Sequence, residues 1–170
     1  MLFRSHSGPT VAPDETPPAR TAPDHAPPAL PRPSPGGVRR ADLPPGAPRL
    51  VALTFDLCEL STRRAGYEGA IPDLLRAAGA RATFFASGKW MRSHPERTLQ
   101  LMADPRFEIG NHAWTHGNMA VLARPGTIDK ARAQALWTQA EYELLRAELA
   151  RRAAAAGLAG EMARIPEVPR

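Results

Sequence analysis

Proline placement constrains this chain more than any other feature of its sequence. Thirteen of its 19 prolines fall within the first 48 of 170 residues. Proline lacks an amide donor and fixes its own φ, so a segment this dense in it builds neither a helical nor a sheet core. Residues 1–48 are therefore expected to be a disordered Pro-rich tail or linker, with Pro27-Pro28 and Pro44-Pro45 favouring polyproline II. Residues 49–170 have room for one modest domain.

Several classes fall away. No apolar run approaches the roughly 18 residues that a membrane helix needs. The opening Met1-Leu2-Phe3-Arg4-Ser5-His6 has no apolar stretch behind it, so no secretory signal is read, and the compartment stays unassigned. A single cysteine, Cys58, excludes an internal disulfide and a cysteine-cluster zinc finger. The net charge of +5 is spread as scattered arginines, densest in the pairs Arg39-Arg40, Arg63-Arg64 and Arg151-Arg152. Phosphate-gripping proteins cluster such charge, so no nucleic-acid partner is expected.

Texture changes at Arg49. Leu50-Val51-Ala52-Leu53-Thr54-Phe55 is a continuous apolar run, suited to a strand buried on both faces. Arg81–Ala86 and Phe107–His112 give two further strands. Between them, Pro72 suits a first helical turn, so a helix starts near Ile71 and stops at Gly79. Ser93-His94-Pro95-Glu96 reads as a capping box opening a helix to about Asp104. A long helix follows over Thr127–Ala156, with Ile128, Ala131, Ala135, Tyr142, Leu145 and Leu149 on one side and Gly157 as its stop. Strand and helix alternate, which predicts an α/β fold of three parallel strands with helical crossovers.

In such folds chemistry gathers at the carboxyl ends of the strands. Asp56 stands after the first strand, Ser87-Gly88 after the second, and Asn111, His112 and His116 after the third. Imidazole is a common zinc ligand, and His-x-x-x-His lets two rings face one point across a helical turn. A carboxylate beside them could take a proton from water, which is machinery for metal-assisted hydrolysis. Trp114, between the histidines, reads as a core aromatic.

Leu53-Thr54-Phe55-Asp56, Ala82-Thr83-Phe84-Phe85 and Gly110-Asn111-His112-Ala113-Trp114-Thr115-His116 together resemble the NodB-type polysaccharide deacetylases, carbohydrate esterase family four. The resemblance is strong over roughly residues 50 to 120. It implies a distorted (β/α) barrel and a hydrolase, acting on non-peptide carbon–nitrogen bonds, that removes acetyl groups from a polysaccharide or amino sugar. It implies Asp56 as catalytic base, His112 and His116 as metal ligands, and a divalent metal, zinc first, with cobalt, nickel or manganese as substitutes. Its partner is then an acetylated polysaccharide or oligosaccharide, a substrate usually found outside the cytoplasm.

The sequence departs from that pattern in three places. Leu57 stands where a second aspartate usually completes the metal triad; Glu59 is the preferred third-ligand candidate, with Asp56 itself, a water or Cys58 as alternatives. Ala113 replaces the usual serine or threonine. No histidine follows His116, and Arg164-Ile165-Pro166 lacks the context of the family's arginine motif. The expectation is the amino-terminal half of the domain: residues 49–170 as an incomplete barrel with an open edge prone to self-association. The alternative is a truncated, catalytically inactive module that binds carbohydrate or metal only.

Overall fold

The computed structural model describes residues 18, 43–48, 50–59, 64–115 and 127–160, with side chains of the last stretch described from 132 onward. Most of the expected tail, together with His116, therefore lies outside the described residues. The element order is β1 (Thr54–Leu57), α1 (Ala70–Ala77), β2 (Ala82–Ala86), α2 (Gly88–Ser93), α3 (Pro95–Met102), β3 (Phe107–Asn111) and α4 (Thr127–Ala155). The three strands form one parallel sheet in the order β1-β2-β3.

Register sorts the side chains onto two faces. Thr54, Thr83 and Glu108 align across the sheet, and so do Asp56, Phe85 and Gly110. Phe55, Phe84 and Ile109 align one residue along, on the opposite face. That second face carries the core. Phe84 stacks on Phe55 at 5.3 Å and meets Phe107 edge-on at 5.1 Å. Leu75 from α1, Trp90 and Met91 from α2, Leu99, Leu101 and Met102 from α3, and Tyr142 from α4 close over it.

Two helix stops follow the sequence. Gly79 (φ 62°) and Gly157 (φ 73°) take the left-handed conformation that glycine adopts at least cost. Each sits in a Schellman pattern: Gly79 N–H donates to Arg76 O and Ala80 N–H to Leu75 O, while Gly157 and Leu158 do the same to Ala154 and Ala153. On α4, Tyr142, Leu145 and Leu149 pack on the core as the periodicity predicts. The side chains of Ile128 and Ala131 lie outside the described residues.

Three sequence expectations need correction. The first strand does not occupy the apolar run. Leu50 and Val51 are 75% and 83% exposed, and pairing starts at Thr54, because β1 is an edge of the described sheet and has a neighbour only in β2. Its Phe55 and Leu57 are half-buried, while Thr54 and Asp56 on the other face are exposed, so it is not buried on both faces. The capping box is absent as well. Ser93 is the last residue of α2, and α3 starts at Pro95 with no side-chain cap. The sequence reading also assigns no helix at α2, whose N-cap is Ser87, accepting from Trp90 N–H at 3.2 Å.

Phe84 stands at the centre of this core, 2% exposed. Phe84→Ala should cost about 3–5 kcal/mol, a large share of the roughly 5–15 kcal/mol that holds a domain. Urea denaturation of the two proteins checks this; a midpoint unchanged by the substitution would mean the core lies elsewhere.

Candidate active site

Strand alternation builds the first half of the site. Phe55 and Leu57 point into the core, so Asp56 between them points to the opposite face. Its carboxyl is 61% exposed at the carboxyl end of β1. On the far side of β2, His112 continues β3 by one residue, its N–H donating to Ala86 O at 3.2 Å. The His112 side chain is 21% exposed, and its Nε2 lies 4.0 Å from Asp56 Oδ2. Two residues expected at the site, 56 positions apart in sequence, are thus brought face to face across the sheet.

The backbone beyond His112 is held at several points. Asn111 Oδ1 accepts from Ala113 N–H at 3.0 Å, and Asn111 Nδ2 donates to Ala135 O of α4 at 2.8 Å. Between these anchors Ala113 adopts φ 58°. A left-handed alanine costs roughly 1–2 kcal/mol, so the turn persists because its surroundings impose it. The first-turn amides of α2 supply that constraint: Gly88 N–H donates to Ala113 O at 3.0 Å and Lys89 N–H to Trp114 O at 3.1 Å. Trp114 is buried, crosses Trp137 edge-on at 6.2 Å, and lies under the Arg92 guanidinium at 4.6 Å. Arg92 reaches on to Glu141 of α4 at 3.2 Å. Trp114 is a core aromatic, as its sequence context suggests.

The remaining candidates divide. Leu57 packs against the core and offers no donor. Cys58 is half-buried; burial, helped by the Asp56 charge, pushes its thiol above the usual range. Glu59 is buried, and its carboxylate turns to α2, accepting from Ser93 Oγ at 2.7 Å and from Ala65 N–H at 3.4 Å. His116 lies outside the described residues. Among the described residues no group of three or more His, Cys, Asp and Glu side chains forms a metal-holding set.

Asp56 and His112 do fit a divalent ion by donor type. Imidazole nitrogen and carboxylate oxygen both bind zinc at about 2.0–2.2 Å. Their 4.0 Å separation is too long for a hydrogen bond, and an ion or a water can bridge it. A cavity of about 360 Å³ runs along β3, with Phe85, Glu108, Gly110, Asn111, Gln139 and Tyr142 in its wall; Asp56 and His112 do not line it. Glu108 accepts there from Thr83 Oγ1 at 2.9 Å.

Comparison with known proteins gives three findings. The sequence profile of the family described as polysaccharide deacetylase matches residues 44–159. The chain is 30% identical over 102 residues to a chitin deacetylase of Pestalotiopsis sp, covering 55% of this chain and 33% of that protein. It is 29% identical over 73 residues to an uncharacterised 30.6 kDa protein of Geobacillus stearothermophilus, covering 43% of this chain and 26% of the relative. The chain therefore spans about a quarter to a third of the length of these curated relatives. Among solved structures it is similar to the peptidoglycan deacetylase PdaC from Bacillus subtilis, with TM-score 0.43 and 29% identity, covering 55% of this chain and 42% of that one.

Sequence alone gives Asn111 and Gly88 no task. Gly88 has one: a Cβ there would lie 2.1 Å from Trp114 Cε3 and 2.9 Å from Thr138 Oγ1. Gly88→Ala must push the indole and its loop aside. The expected cost is about 1–3 kcal/mol of stability, with a shifted His112 ring resonance in NMR spectra. An unchanged His112 resonance would show that the loop is not held through Trp114.

Proposed function

This chain belongs to the polysaccharide deacetylase family, and from that premise we propose that it hydrolyses acetyl groups from an acetylated polysaccharide or amino sugar. One observation supports this best: Asp56 Oδ2 faces His112 Nε2 at 4.0 Å at the carboxyl edge of a parallel sheet. In this reading Asp56 is the general base, and His112 and His116 hold a divalent metal, zinc first, with cobalt, nickel or manganese as substitutes. When bound, the ion supplies Lewis-acid polarisation of the acetyl carbonyl and makes water more acidic.

The chain's own residues do the rest. Asp56, open to solvent, accepts a proton from the attacking water. The ladder bond from His112 N–H to Ala86 O and the fixed turn at Ala113 aim the His112 ring. Asn111, held on α4 by Ala135 O, keeps that turn from relaxing. The cavity beside β3 is within the size range of small-ligand sites, roughly 300–1,000 Å³, and Asn111, next to His112 in sequence, is in its wall.

The architecture belongs to the same proposal. Residues 49–170 carry an arc of a distorted (β/α) barrel, with residues 1–48 as a tail. Three parallel strands with helical crossovers support this reading. Among the described residues, the outer edge of β3 has no strand partner. Such an edge is a template for pairing, so the chain should self-associate as its concentration rises in sedimentation experiments.

Incubation with N-acetylglucosamine oligomers and zinc should release acetate. Asp56→Asn should lower kcat by about 10²-fold or more, the usual worth of a general base. His112→Ala should lose the ion, read as zinc stoichiometry by calorimetry. Acetate release untouched by Asp56→Asn, or zinc binding untouched by His112→Ala, would remove the proposed roles.

A further inference from the structure

Glu59 follows the strand that carries Asp56, and its side chain is 1% exposed. A carboxyl buried this deeply is costly unless hydrogen-bonded. Its partners lie on α2 and in its own loop. Ser93 Oγ donates to Glu59 Oε2 at 2.7 Å, and Ala65 N–H reaches the same oxygen at 3.4 Å. The Glu59 backbone N–H donates to Ser87 Oγ at 3.2 Å. Glu59 therefore grips both ends of α2: Ser87 at the N-cap through its amide, and Ser93 in the last turn through its carboxylate.

The Ser93 hydroxyl is fixed in turn. Its oxygen lies 2.8 Å from His94 Nδ1, which is also 3.3 Å from Trp90 O. Ser93 Oγ also lies 3.1 Å from Trp90 O, and its 2.7 Å contact to Glu59 is the shorter of the two. The His94 ring stacks on Trp90 at 4.8 Å, which pins the chain at the α2–α3 junction.

The first turn of the same helix holds the loop that follows His112, through Gly88 and Lys89. One six-residue helix thus fastens both loops of the candidate site. We propose that Glu59 is a positioning residue: its bonds to Ser93 and Ser87 lock the end of β1 to α2 and so set the distance between Asp56 and His112. This rests on the reading of Asp56 and His112 as the reacting pair. It gives Glu59 a task other than metal ligation, with Ser93 as its partner.

The test compares Glu59→Gln, Ser93→Ala and the double variant with the parent chain. The amide introduced by Glu59→Gln keeps the shape and an acceptor oxygen but weakens the bond from Ser93. Zinc stoichiometry and Kd should stay within about threefold in every variant, since the carboxylate is not a ligand. The value of kcat should fall about tenfold with KM unchanged. The double variant should be no worse than Ser93→Ala alone, because both act in one contact. Loss of zinc in Glu59→Gln but not in Ser93→Ala would make Glu59 a ligand and overturn the proposal. Unchanged kcat in both single variants would overturn it too. Should the parent release no acetate, the deacetylase reading fails on that ground alone, and hydrogen exchange decides the clamp. Faster exchange of the Glu59 and Gly88 amides in folded Ser93→Ala supports it; unchanged exchange at both overturns it.

Discussion

Two amides at the start of a short helix organise this molecule. Gly88 and Lys89 N–H, in the first turn of α2, donate to the carbonyls of Ala113 and Trp114. The first amides of any helix lack intrahelical partners. Here they are satisfied by a stretch of backbone that must be held in an unfavourable shape. The left-handed turn at Ala113 sends the chain out of β3 with the His112 ring facing Asp56. Without an outside grip, alanine would leave that conformation for one about 1–2 kcal/mol lower. Each such bond is worth about 1 kcal/mol net, and together with the Asn111 contacts they suffice to hold it.

Packing makes the grip specific. The buried indole of Trp114 fits against Gly88 so closely that no Cβ has room, and Trp137 and Arg92 close its other sides. Loop, helix α2 and helix α4 thus share one contact region. α2 packs on α4, distant in sequence, as well as on α3, its neighbour. α4 meets the backbone around His112 at two points: Trp137 crosses Trp114, and Ala135 O accepts from Asn111 Nδ2.

Much of this was legible in the sequence, where the signals were local. The glycine stops at 79 and 157 follow from a backbone constraint that one residue type imposes, and the strand–helix alternation from local patterning. Asp56 and His112 could be paired from sequence because parallel strands bring their carboxyl ends to one edge. The failures share a cause. Leu50 and Val51 look like a buried strand, yet burial depends on neighbours that a sequence window does not contain. Ser93 matches a capping pattern, yet its hydroxyl is taken by Glu59, 34 residues earlier. Gly88 carries no local signal of its role, and Trp114 and Thr138, 26 and 50 positions away, explain why glycine stands there.

Glu59 is the instructive case, because its direction could have been read. An extended chain alternates its side chains, so residues 55, 57 and 59 share one face and residues 56 and 58 the other. Phe55 and Leu57 are core residues by their chemistry alone. The same parity carries Glu59 inward past the end of β1, where its carboxyl meets Ser93. Seen this way, the leucine at 57 and the glutamate at 59 are one arrangement. Leu57 commits the inward face at that point to packing, and Glu59 places the next inward group on α2. Asp56 stands with Thr54 on the outward face of β1, opposite His112. Under the proposed function, a further ligand to an ion at this edge comes from another strand end or loop, and His116, four residues beyond His112, is the candidate.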